Sequence, residues 1–185
     1  MSFFRRVAMR FFPQKPHENR ILVLIDWENS TIDNFAVIGP SAFSLKSLYA
    51  EITEKLGEIG RITMSVTFIT TRDIMRLSED FYKLGIHPVV SPMVVMQKRD
   101  PVWHGIVDEA LITFGRELVN ETTSFTHVCV VSGDADFTKF CRWLQRQGKK
   151  VIIFAHAKKL SASLAECADL NDNGEQMLYT FQLGR

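Results

Sequence analysis

Residues 128–137, reading Val-Cys-Val-Val-Ser-Gly-Asp-Ala-Asp-Phe, constrain the fold of this chain more than any other stretch. An apolar run of strand length ends in Ser132 and Gly133, Asp134 and Asp136 follow, and a helical pattern begins. Strand, tight turn and helix is the unit that sets side chains on the rim of an α/β sheet. Two carboxylates in such a turn belong at a mouth rather than in a core. Residues 21–29, Ile-Leu-Val-Leu-Ile-Asp-Trp-Glu-Asn, repeat the logic: an apolar strand, then Asp26. The two strand ends are expected side by side, holding a divalent metal.

The rest of the chain alternates in the same way. Leu45, Leu48, Tyr49, Ile52 and Leu56 recur at helical spacing before Gly57. Residues 61–69 alternate as a strand, a helix follows with Ile74, Leu77, Phe81 and Leu84 inward, and 86–90 read as a short third strand. Residues 91–102 read as a loop carrying Lys98, Arg99 and Asp100. The spacing predicts a helix over 104–119, with Asp108, Leu111, Gly115 and Leu118 on one face and His104 one turn before Asp108. A strand over 125–131, a helix over 136–147, a strand over 151–154, a helix over 160–168 and an edge strand over 178–183 complete the order. Strands alternating with helices predict an α/β fold, three layers α/β/α, around a mostly parallel sheet.

A length of 185 residues suits one domain with a full core. With 46% hydrophobic and 23% charged residues the chain is too apolar and too balanced for disorder. The net charge of +1 conceals an asymmetry: Arg5, Arg6, Arg10, Lys15 and Arg20 against Glu18 give residues 1–20 a net +4, leaving −3 for the remainder. We therefore divide the chain into a basic, flexible arm (1–20) and a domain (21–185). Phe3, Phe4, Phe11 and Phe12 among those arginines also suit a peripheral membrane-surface contact, a nucleic-acid arm or an organelle presequence. The arm lacks the apolar stretch of a secretory signal, and no run is long enough to span a membrane. Cys129, Cys141 and Cys167 are isolated, which excludes paired-cysteine zinc and redox motifs and reads as buried thiols in a reducing cytoplasm.

The chemistry lies with Asp26, Asp108, Asp134 and Asp136. Clustered carboxylates repel one another unless a cation is present. Mg²⁺ or Mn²⁺ takes oxygen ligands and, so held, polarises a phosphodiester and activates water. Each acid also has a plain structural role: Asp136 as a helix N-cap, Asp134 as a turn residue, Asp26 as a loop cap, Asp108 as a solvent-facing residue. Asn29 either contacts substrate or forms an Asx turn, and Ser132 either meets a phosphate or is a turn hydroxyl. His104, Lys139 and Arg142 are candidate phosphate contacts; their plainer readings are a half-buried histidine and a solvated helix face. Neither a dinucleotide glycine fingerprint, a P-loop nor a nucleophile elbow is present.

Taken together, Ile25-Asp26-Trp-Glu-Asn29, Asp108-Glu-Ala-Leu111, Ser132-Gly-Asp134-Ala-Asp136-Phe137, Gly148-Lys-Lys-Val151, Ser161-Ala-Ser-Leu164 and Ala168-Asp169 resemble, in order, the NYN family, the LabA-like branch of the PIN-like nucleases. The resemblance spans roughly residues 21–170. It implies a PIN-like fold, Mg²⁺ or Mn²⁺ on Asp26, Asp108, Asp134 and Asp136 with Asn29 and Ser132 beside it, and ribonuclease activity on RNA. Two positions depart from it. Phe114 stands where relatives often place a further aspartate, and Gly105 and His104 stand where many place a lysine. Three readings follow: a metal-dependent ribonuclease, a catalytically weak RNA-binding or regulatory module, and a small-substrate phosphatase. The sequence leaves a homo-oligomer open.

Overall fold

The structure, a computed structural model, describes residues 19–27, 29, 45–91, 93–96, 102–105, 107–122 and 124–181. The basic arm up to residue 18, Glu28, residues 30–44, and the segment with Lys98, Arg99 and Asp100 lie outside the described residues.

A continuous apolar run forms β1 (Arg20–Asp26), and alternating or shorter segments form β2 (Arg61–Thr70) and β3 (Ile86–Ser91); the apolar runs of β6 (His127–Val131) and β7 (Lys150–His156) and the short β8 (Leu178–Phe181) complete one sheet. Its order is β3-β2-β1-β6-β7-β8, and every neighbouring pair is parallel. Buried on both faces, the central strands β1, β6 and β7 need no polar alternation, and β6 is buried at all five positions. The order reverses direction between β1 and β6. In open α/β sheets that reversal opens a crevice at the carboxyl ends of the strands, where ligands bind.

Period-two geometry sorts the strand residues into two cores. Leu22, Leu24, Val66, Phe68, Val128, Val130, Val151 and Ile153 face one layer, made by α3 (Val107–Glu121), α4 (Thr138–Arg146) and α5 (Ala162–Ala165). Ile21, Val23, Ile25, Cys129, Val131, Ile152 and Phe154 face the other, made by α1 (Leu45–Gly57) and α2 (Thr71–Leu84). The three-layer α/β/α expectation holds. By the same alternation Asp26 and Ser132 point to the α3 side. Gly115 lets α3 approach closely: a Cβ there would lie 2.7 Å from Phe140 and 3.0 Å from Leu24.

Four local expectations need correction. Residues 93–105 are not a loop followed by a helix; β4 (Met93–Met96) and β5 (Val102–Gly105) form an antiparallel hairpin pairing His104 with Val94. Valines and Trp103 favour a pleated pair, and Gly105 weakens helix continuation, so α3 starts only at Val107. His104 therefore does not share a helical face with Asp108. The helix expected over 136–147 is split into a 3₁₀ turn, Ala135–Phe137, and α4. The strand before it begins at His127 rather than 125. The helix expected over 160–168 shrinks to α5, four residues long.

The opposite end of the sheet carries a pH-sensitive group. His127 opens β6, is only 7% exposed, and its Nδ1 lies 2.8 Å from Thr126 Oγ1. Burial, then the Lys150 charge, holds its pKa below the ordinary 6.5, against weaker opposite pulls from Asp172 and Asp169. Because the unfolded chain takes up this proton first, stability is full above pH about 6.5 and falls as pH drops through the lowered folded value. Thermal unfolding at pH 7.5 and 5.5 should show a smaller loss for His127→Gln than for the parent. An equal loss in both proteins contradicts this role.

Candidate metal centre and active site

Each acid reaches the mouth for a local reason. Asp26 is the last residue of β1, and the end of β6 brings Ser132, with the Ser-Gly turn delivering Asp134 and Asp136 immediately after it. Asp134 has extended backbone (φ −76°, ψ 135°), and its side chain accepts a bond of 2.9 Å from the Asp136 N–H. It is thus the N-cap of the 3₁₀ turn, the role that the sequence offered to Asp136. Asp108 sits in the first turn of α3, where the helix N-terminus favours negative charge.

One carboxylate oxygen each from Asp108, Asp134 and Asp136 lies within 4.8 Å of the others. Asp108 and Asp134 are half-buried and Asp136 is exposed. Opposite ligands across a Mg²⁺ ion stand about 4.2 Å apart, twice a 2.1 Å bond. Three carboxylate oxygens this close together suit the coordination shell of one hard divalent cation.

Asp26 lies outside that triad and is 2% exposed. Its Oδ2 accepts from Ser132 Oγ at 2.9 Å and its Oδ1 from the Asn29 N–H at 3.1 Å. Ser132 Oγ in turn accepts from the Asp134 N–H at 3.2 Å. A buried carboxylate needs such donors, and this one uses them to link β1 to the turn that carries Asp134. The Asn29 side-chain oxygen accepts from the Gly133 N–H at 3.0 Å, so Asn29 clamps the same turn from the other strand.

Lys139 and Arg142 are exposed on α4. Arg142 lines a surface depression with Gln145, Arg146, Glu166 and Cys167, separate from the one beside the acids. That second depression is lined by Asn29, Gly133, Asp134, Ala135, Lys159 and Ser161. Lys159 and Ser161 had no assigned role in the sequence. The available signal was their position just past β7, the strand beside β6, and hence at the same end of the sheet. Lys159 Nζ donates to the Asn29 carbonyl at 2.7 Å across 130 residues of sequence. Asp169, at the end of the family-like pieces, is not in the site: its Oδ2 accepts from Val151 N–H at 2.7 Å at the start of β7. Phe114 packs edge-on against Phe68, with ring centroids 5.8 Å apart, and belongs to the core. The three cysteines are buried free thiols, and burial pushes Cys129 and Cys141 well above the usual thiol range.

A crystal structure of a protein of unknown function from Vibrio parahaemolyticus superposes with a TM-score of 0.65 at 20% identity, covering 90% of this chain and 94% of that one. This likeness extends to the fold alone. A C-S lyase from Staphylococcus hominis in complex with L-cycloserine gives a TM-score of 0.31 at 14% identity over 62% of this chain and 31% of that one, too little to bear on the fold. No curated protein matches the sequence. Among the described residues no helix is long and apolar enough to cross a membrane. A family model of the NYN domain matches residues 20–171, which take in every element from β1 to the segment after α5, and the chain belongs to the NYN domain family.

Proposed function

We propose that this protein is a Mg²⁺- or Mn²⁺-dependent ribonuclease that hydrolyses RNA phosphodiester bonds. The observation that carries the reading is the convergence of Asp108, Asp134 and Asp136 at the switch point of a nuclease-like fold. Those three carboxylates would hold the ion, which supplies Lewis-acid activation of the scissile phosphate and of the attacking water. Asp26 adds a fourth negative charge from the buried side and, through Ser132, fixes where Asp134 points. Asn29 keeps the Ser-Gly turn against β1. Lys139 and Arg142, on the helix that leaves the site, offer exposed positive charge to the strand. In this reading residues 21–185 act as one catalytic domain and residues 1–20 as an accessory basic arm, and buried free thiols suit a cytoplasmic enzyme.

Single-stranded RNA incubated with the protein and Mn²⁺ should be cut, and a chelator should stop the cutting. Binding without turnover, indifferent to chelator, would favour the second reading, an RNA-binding or regulatory module. Phe114 supports that alternative, because a core aromatic occupies the place of an acid common in relatives. Turnover of a chromogenic phosphate ester with RNA left intact would point instead to a phosphatase.

A further inference from the structure

The outer face of α4 concentrates positive charge in an otherwise acidic domain. Residues 139–150 hold five cations, Lys139, Arg142, Arg146, Lys149 and Lys150, and no acid, leaving −8 for the rest of residues 21–185. Lys139, Arg142 and Arg146 are exposed and stand at spacings of three and four, so they share one face of the helix. They span about 10.5 Å along its axis, at 1.5 Å per residue. Like charges at these spacings weaken a helix, and opposite charges relieve them. Exposed lysines of the opposite layer have such partners: Lys46 on α1 pairs with Asp80 on α2 at 3.2 Å, and Lys83 pairs with Glu79. None of the three α4 cations has an ion pair among the described residues. A row of unpaired cations calls for a counter-charge from outside the chain. Because α4 follows directly on the 3₁₀ turn that holds Asp136, the row starts beside the acids. It ends at the depression that Arg142, Gln145 and Arg146 line with Glu166 and Cys167. There Gln145 Nε2 donates to the Cys167 carbonyl at 3.1 Å and ties α4 to the segment after α5. Glu166 is the one acid of that depression, against two guanidiniums. The half-buried aromatic of this helix is already engaged: Trp143 stacks on Phe140, with ring centroids 5.9 Å apart at 13°, and the Arg116 guanidinium lies 5.5 Å from its ring centre. The face therefore offers charge rather than a platform for bases.

We propose that the outer face of α4 is the track of the RNA strand on one side of the scissile bond: Lys139, Arg142 and Arg146 meet successive backbone phosphates and lead the strand from the acids to the depression beside α5. This rests on the ribonuclease reading for its partner and adds the path. Carboxylates at the mouth repel a polyanion, and a row of unpaired cations beginning at the same turn offsets that repulsion. Arg142 and Arg146, about one helical turn apart, bring planar forks that suit phosphate oxygens. Phosphate contacts carry no sequence information, so the track accepts any base order.

The test uses the full chain and a fluorescein-labelled single-stranded oligouridylate, with Ca²⁺ for equilibrium binding and Mn²⁺ for cleavage. The triple variant Lys139→Gln, Arg142→Gln, Arg146→Gln should make the slope of log affinity against log salt shallower by about 2, three phosphate contacts at about 0.7 each. Binding at about 0.1 M salt should weaken by about 100-fold, and the difference should vanish towards about 1 M. Arg146→Gln alone should take about 0.7 from the slope, which keeps the track testable if the triple variant fails to fold. A control triple, Lys46→Gln, Lys55→Gln, Lys83→Gln, removes the same charge from α1 and α2 and should keep the parent slope. Parent affinity and slope in the α4 variants, or an equal loss in the control triple, overturns the track. Cleavage separates the two readings. A parent protein that does not cut, while its α4 variants lose slope, keeps the track and loses the nuclease. One that cuts, while its α4 variants bind as the parent does, keeps the nuclease and loses the track. A parent that binds no RNA overturns both.

Discussion

Asp134→Asn is expected to lower RNA cleavage by on the order of 100- to 1000-fold, the range for removing one preorganised charge-stabilising group. The fold should survive the change. The native side chain caps the 3₁₀ turn by accepting from the Asp136 N–H, and an asparagine oxygen accepts equally well at an N-cap. What is lost is one of three converging negative charges. Two readouts therefore move in opposite senses. Without metal, the variant melts at or above the parent temperature, because like-charge repulsion is reduced. With Mn²⁺, the parent gains stability by mass action and the variant gains much less. A variant that cuts RNA as the parent does would remove Asp134 from the chemistry. A variant that unfolds would mean that the Asp134 carboxylate holds the fold together in a way that an asparagine cap does not replace.

Gly133→Ala is expected to damage the site through packing alone. A Cβ at Gly133 would stand 2.6 Å from the Lys159 carbonyl oxygen, 2.7 Å from its carbon and 3.1 Å from the Leu160 nitrogen. These are backbone atoms, so no rotamer relieves the clash. The segment after β7 must move away from the turn after β6. That movement strains the Ser161 to Gly133 and Gly133 to Asn29 hydrogen bonds together. Overpacking of this kind costs about 1–3 kcal/mol, and each kcal/mol lowers Tm by about 2–4 °C in a chain of this size. Cleavage should fall further than stability does, because Asp134 and Lys159 are displaced in opposite directions. Measuring cleavage well below the melting transition separates the two effects. A methyl group accepted with no change in Tm or rate would show that the two segments do not approach this closely.

Strands were the most legible part of the chain. Residues 21–25, 128–131 and 151–154 are unbroken apolar runs, and a run buried on both faces has one stable placement, inside a covered parallel sheet. The positions of Asp26 and Asp134 followed from that, since the end of a strand is known once the strand is. The hairpin of β4 and β5 was not legible, because two four-residue strands carry too short a pattern to compete with a helical reading that continued into α3. His104 was misplaced for that reason. Lys159 was missed for another: its contact with the Asn29 carbonyl joins residues 130 apart in sequence, which no local pattern encodes, whereas Ser161 opens one of the family-like pieces with no role attached to it. The bridge from Asp26 through Ser132 to the turn that carries Asp134 was equally hidden. Four aspartates at strand and helix ends look alike until Ser132 is seen bridging one of them to the turn.

The central claim is that three carboxylates converge to hold one hard cation. Diffraction from crystals equilibrated with Mn²⁺, read as an anomalous difference map, tests it most directly. A peak about 2.0–2.6 Å from oxygens of Asp108, Asp134 and Asp136 is the predicted result. Carboxylates turned apart, with no peak between them at saturating Mn²⁺, would contradict it.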